Sequence, residues 1–194
     1  MARVKSPKMR DSIVLAADQL FAELGYVGTT ISRIAKNAGT ATSNVYVYFP
    51  SKMEIAFAVF DPWLREQIKA LEARVAEQVT PRQQLEVLVR GLLQGIAAEG
   101  TGRTLTLVQA LATAKETDAY SSELLRWTEG RILAMICRAL PRGEPATLKS
   151  LAHVLMLSFD GIALRQNLRR GSKPDEEAVH SILTLLFEVL DARR

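Results

Sequence analysis

The sequence predicts an all-α protein. Three observations carry this. Apolar residues recur at spacings of three and four along the chain, the period of one helix face. Breaks rich in glycine and proline, at 80–81, 100–102, 141–145 and 171–174, separate these stretches. No segment alternates over a strand's length between turn signals.

The elements follow in order. Ser6-Pro7 opens the first helix, since serine suits a capping position and proline the first turn. Ile13, Ala16, Ala17, Leu20, Phe21 and Leu24 form its apolar stripe, and Gly25 supplies a left-handed stop. A second helix starts at Thr29-Thr30, repeats Ile31, Ile34, Ala35 and Ala38, and stops at Gly39. A third fits roughly 41–48. Pro50 then breaks the chain, and Ser51 can cap a fourth helix that starts at Lys52. The second helix is only about two turns long, so it depends on its neighbours. Three short helices with a glycine turn between the second and third match a helix-turn-helix arrangement. Longer helices follow at roughly 52–78 (with a kink at Pro62), 81–99, 102–116, 120–140, 144–170 and 174–192. The expected division is residues 1–52 as one domain and 53–194 as another.

Composition narrows the function classes. Hydrophobic residues make up 48% of the 194 and charged residues 24%, as in a soluble domain with a real core. Cys137 is the sole cysteine, so no intramolecular disulfide or cysteine-built zinc site can form, which fits a reducing cytoplasm. The basic N-terminus lacks the apolar core of a signal peptide, and no run reaches the roughly 18 apolar residues of a membrane span. His153 and His180 have no metal-ligand spacing with other candidate ligands. There is no glycine-rich phosphate loop or nucleophile motif, so neither an enzyme nor a cofactor is expected. Charge is more informative. Residues 1–52 hold seven Lys/Arg and three acids, while the remainder balances at 18 of each. The whole net charge of +4 therefore lies in the first quarter, the footprint of a segment facing nucleic acid or an anionic surface.

The stretch SIVLAADQLFAELGYVGTTISRIAKNAGTATSNVYVYFPSKMEIAFAVF, residues 12–60, resembles the DNA-binding domain of the TetR family of bacterial transcriptional regulators. The matching pieces are LFAELGY at the end of the first helix, TTISRIAKNAG, and a third helix running into VYVYFPSK. The resemblance implies that the third helix reads DNA, with Thr42, Ser43, Asn44, Tyr46 and Val47 as its outward residues. A helix in the major groove can present such side chains to base edges: Asn44 to an adenine, Val47 to a thymine methyl. Helical direction turns Val45 and Phe49 inward, towards Ile34 and Phe21. Tyr46 faces the DNA, and Tyr48 is either core edge or phosphate contact. Thr30 and Ser32, at the start of the second helix, and Lys52, in the first turn of the fourth, are expected phosphate ligands. Three positions depart from the family pattern: Ala41 replaces a frequent serine cap, Ser43 a glycine and Val47 a histidine. Thr40 or Thr42 is expected to cap in place of Ala41.

The resemblance also implies a helical ligand-binding and dimerisation domain in the rest of the chain. Polar or aromatic residues interrupting apolar helices are the effector candidates: Trp63, Gln67, Gln94, Gln109, Thr113, Trp127, Arg131 and Met135. They suit an amphipathic or aromatic small molecule. Residues 175–192 are apolar too widely for one buried stripe, and 148–163 behave alike; a helix apolar on two sides must bury two faces. A two-fold homodimer through a four-helix bundle is expected, with Leu148, Leu151, Leu155, Phe159, Ile162, Ile182, Leu183, Leu186 and Leu190 at its interface. Asp160-Gly161 is read as a place of close helix packing in that bundle. Two reading helices one DNA turn apart would recognise a palindrome in double-stranded DNA. The functional expectation is a cytoplasmic, ligand-responsive repressor, with no membrane partner.

Overall fold

The computed structural model describes residues 6–99, 102–113, 123–168 and 176–191, with the side chains of 166–168, 189 and 190 set aside. Among the described residues every regular element is helical: α1 (Pro7–Gly28), α2 (Ile31–Asn37), α3 (Thr42–Tyr48), α4 (Lys52–Ala76), α5 (Pro81–Arg90), α6 (Arg103–Ala112), α7 (Glu123–Ala139), α8 (Pro145–Leu168) and α9 (Glu176–Asp191). One departure follows α5. The reading of 81–99 as a single α-helix gives way at Gly91–Ile96 to a wider π-helical turn. Gly91 and Gly95 lie in it, and glycine holds the α conformation least well of the non-proline residues.

The chain forms two compact units. The first comprises Met1–Trp63 and Thr101–Ser121, and the second Leu64–Gly100 and Ser122–Arg194. The first therefore extends beyond residues 1–52: it takes in the start of α4 and all of α6. The boundary within α4 falls just after Pro62, which removes one backbone donor from that helix.

In the first unit, Ile13, Ala16, Ala17 and Phe21 of α1, Ile34 and Ala35 of α2, Val45 of α3, and Ile55 and Phe60 of α4 are buried. Leu24, counted in the α1 stripe from its spacing, is exposed. Phe21 sits at the aromatic centre, its ring 5.8 Å from those of both Tyr26 and Phe60. Gly25 and Gly39 take φ values of +68° and +67°, so both stops work as their residue type suggests. Between Gly25 and α2, the fully buried Thr29 hydroxyl donates to the carbonyls of Gly25 (2.8 Å) and Leu20 (3.0 Å), closing the turn. α6 packs against α1, and Arg103 pairs with Asp18 at 3.0 Å.

The second unit packs α5 against α7 and α9, and α7 against α8. Its core includes Ile68 and Leu71 of α4, Leu85, Leu88 and Val89 of α5, and Ile132 and Ile136 of α7. Thr80 and Gln83 form a reciprocal capping box at the start of α5. Residues Pro145–Arg165 of α8 have the length and apolarity of a membrane span, with mean hydropathy 1.3. Only 33% of that stretch is buried within the chain, so much of its apolar surface faces away from the core.

Candidate nucleic-acid interface

α3 is seven residues long, and its phase divides it sharply. Val45 is fully buried and its neighbour Phe49 is 3% exposed, while Tyr46 and Val47 are 52% and 43% exposed. Ser43 is exposed, and Thr42 and Asn44 are half-buried. Val45 and Phe49 turn inward and Ser43, Tyr46 and Val47 outward, as expected, while Thr42 and Asn44 lie between. The cap differs from expectation. Ala41 precedes the helix with no side-chain cap, and neither Thr40 nor Thr42 replaces it. Thr40 instead accepts a hydrogen bond from Asn44 Nδ2 at 2.7 Å. That bond orients the Asn44 amide before any ligand arrives.

Tyr48 stands at the end of α3. Its hydroxyl accepts the Ser6 backbone N–H at 3.0 Å, and Arg10 lies over the Phe49 ring at 5.2 Å. The first turn of α1 is thus docked on the end of the reading helix. Neither contact was legible in sequence, because each joins residues about forty apart.

Lys52 is also tied inward. Its ammonium donates to the carbonyls of Tyr26 (2.8 Å) and Thr29 (2.9 Å) and lies 4.1 Å from the Tyr26 ring centre. Partial burial lowers its pKa from the usual lysine value. The side chain read as a phosphate ligand therefore clamps the turn between α1 and α2 onto the start of α4. Thr30 caps α2, accepting the Arg33 N–H at 3.3 Å, and the Arg33 guanidinium returns to the Gly28 carbonyl at 2.9 Å. Ser32 and Lys36 remain on the exposed face.

The effector candidates divide between the units. Trp63, Gln109 and Thr113 belong to the first. Thr113 is exposed, with its hydroxyl on the Ala110 carbonyl, and Gln109 Oε1 is buried with no hydrogen-bond partner among the described residues. Gln67, Gln94, Trp127, Arg131 and Met135 belong to the second. Trp127 stacks under the Arg65 guanidinium at 4.7 Å, Arg131 pairs with Glu72, and Met135 is core.

The residues assigned to dimerisation divide by burial. Leu148, Leu155, Phe159, Ile162, Leu183 and Leu186 are buried within the single chain. Leu151 and Ile182 are half-buried, and the Leu190 side chain lies outside the described set. An open apolar face presents Val154, Leu157 and Leu164 of α8 and Leu185 of α9, with Leu157 58% and Leu185 62% exposed. A groove of about 380 Å³ runs along it, lined by Leu151, Val154, Leu155, Ile182, Leu185, Leu186 and Glu188. Asp160, also on α8, is half-buried, and that burial raises its carboxyl pKa above the usual value.

Residues 13–59 match the family model described as bacterial regulatory proteins, tetR family. Over 140 residues, 72% of each chain, the protein is 25% identical to the fatty acid metabolism regulator protein of Bacillus subtilis. It is 28% identical to the transcriptional regulator BetI of Stenotrophomonas maltophilia over 85% of this chain and 84% of that one. In fold it is similar to the transcriptional regulator FadR from Bacillus subtilis, solved in complex with stearoyl-CoA (TM-score 0.61, 19% identity, 91% and 96% of the two chains). It is likewise similar to a TetR transcription regulator from Haloarcula marismortui (TM-score 0.63, 22% identity, 95% and 97%). The helix-turn-helix segment is thus a DNA-binding domain of the tetR family type, and the chain as a whole is similar to transcriptional regulators of that family.

Proposed function

We propose that this protein is a ligand-responsive repressor that binds a palindromic operator as a homodimer and is released by a small amphipathic effector. The observation that carries the reading is the split of α3: Val45 and Phe49 anchor the helix, leaving Ser43, Tyr46 and Val47 on its open side. With Asn44 held by Thr40, that side offers a pre-set amide, a phenol and an apolar contact to base edges and phosphates. Residues 1–52 act as the reading segment, with Ser32 on the phosphate-facing side. Residues 53–194 bind the effector and the second copy.

The dimer forms through the open face of α8 and α9, a second copy covering Val154, Leu157, Leu164 and Leu185. An isologous contact suits this face, since two-fold pairing also sets two reading helices for a palindrome. The effector has a long apolar chain and a polar end. Support comes from the apolar core of the second unit and from the stearoyl-CoA bound by the Bacillus subtilis neighbour. Coupling runs along α4, which contributes residues to both units. An effector needs only to favour one of two α4 arrangements to shift the population that binds DNA. The protein works in the cytoplasm, by binding alone.

The test is to select bound sequences from random DNA, then titrate the winning duplex with lauroyl-CoA and stearoyl-CoA present or absent. A palindromic winner released by an acyl-CoA is the expected result. A non-palindromic winner, or binding indifferent to both thioesters, counts against the proposal.

A further inference from the structure

Two N–H donors in the second unit are buried without a hydrogen-bond partner among the described residues: Gln94 Nε2 and Arg131 Nε. Neighbouring contacts fix which atoms are left over. Arg90 Nη1 donates to Gln94 Oε1 at 3.2 Å, and arginine has no acceptor. The Gln94 oxygen therefore faces Arg90, and its NH₂ group cannot be exchanged with it. Arg90 is held in turn by Glu86 at 3.0 Å and Glu176 at 3.4 Å. On Arg131, Nη2 is engaged by Glu72, and Nε is the buried atom left unpaired.

The turn that carries Gln94 and the helix that carries Arg131 each touch α4, at the adjacent residues Leu71 and Glu72. Gly91, at the start of the turn that carries Gln94, comes so near that a Cβ there would lie 2.3 Å from Leu71 Cδ1. Glu72, next along α4, holds Arg131. Gln94 also sits in the π-helical turn, a local form frequent at functional sites. Buried donors left unpaired are costly and rare, so each of these two calls for an acceptor.

We infer that Gln94 and Arg131 are the polar anchors of the effector site, and that the ligand presents an acceptor oxygen there: a carboxylate, or the carbonyl of an ester or thioester. A donor-only head group such as an ammonium satisfies neither nitrogen. The inference rests on the effector reading above and specifies the ligand's polar end.

The experiment titrates the full-length protein with laurate, lauroyl-CoA and dodecylammonium, each below its micelle concentration, and records the melting curve of the free protein. Wild type binds laurate or lauroyl-CoA and discriminates against dodecylammonium. Gln94→Leu weakens that binding about tenfold, the loss of one well-made hydrogen bond. Leucine also removes the acceptor of the Arg90 bond, so the melting curve of this variant is recorded to separate a loss of fold from the loss of the ligand contact. Gln94→Glu keeps the size and the bond to Arg90 but has no donor, and loses affinity likewise. Equal binding of the ammonium and the carboxylate overturns the donor assignment, and unchanged affinity in both variants overturns the role of Gln94. Either result leaves the effector reading standing. If wild type binds none of the three probes, that reading fails and this one with it.

Discussion

Replacing Lys52 by methionine separates two jobs that a lysine at the start of α4 can do. Methionine keeps the length and apolar stem but removes the donors to the Tyr26 and Thr29 carbonyls, at 2.8 and 2.9 Å. A hydrogen bond involving a charged group contributes about 1.5 kcal/mol at the low end of its range, which suits a partly exposed ammonium. The contact with the Tyr26 ring adds about 0.5 kcal/mol at such a site. Desolvation of the charge, which lowers the Lys52 pKa, offsets part of this. The net loss is about 2–3 kcal/mol, or about 5–10 °C in Tm for a chain of this size. Thermal unfolding followed by circular dichroism reads the first number. Fluorescence anisotropy with a selected operator duplex, well below the transition and over a series of salt concentrations, reads the second quantity. An internal clamp leaves the slope of log K against log salt unchanged, whereas loss of one phosphate contact reduces it by about one. A Tm within a degree of wild type together with a shallower slope would refute the clamp and return Lys52 to the phosphate backbone.

Other predictions concern the second unit. Leu157→Glu, on the open face of α8, converts dimer to monomer in analytical ultracentrifugation with the melting curve of the monomer preserved, while Leu155→Ala, inside the core, costs about 2–5 kcal/mol in denaturant unfolding. A Leu157→Glu protein that stays dimeric places the interface elsewhere. Asp160→Asn raises Tm at neutral pH. Burial raises the Asp160 pKa in the folded chain above its unfolded value, so its favourable contribution is full below the unfolded pKa and is lost as pH rises through the folded one. The advantage of asparagine therefore disappears below the usual carboxylate range, and one that persists at pH 2 contradicts the desolvation account.

The parts legible in sequence were those decided by local rules. Gly25 and Gly39 stop their helices because a left-handed residue was needed at each. The inward turn of Val45 and Phe49 followed from helical direction, whereas the outward residues, apolar Val47 among them, came from the family resemblance. α8 did not yield in the same way. Its apolar residues cover more than one face, so spacing says that two faces are buried but not which one lies inward; Leu155 is core and Leu157 open. The inward bonds of Lys52 were not legible for a different reason. Its partners are carbonyls 23 and 26 residues earlier, and backbone acceptors carry no residue-type signal. The π-helical turn at Gly91–Ile96 was missed because its glycines also fit a tolerated lapse in an ordinary helix.

The central claim is that the outer side of α3 reads the operator. Selection from random DNA, run in parallel with wild type, Asn44→Ala and Val47→Ala, tests it most directly. If those side chains read bases, each variant loses preference at one symmetric pair of positions, at about 1–3 kcal/mol per base contact, and keeps the rest of the motif. If both variants select the wild-type motif with uniformly weaker binding, or with no change, base recognition lies outside α3 and the account is wrong.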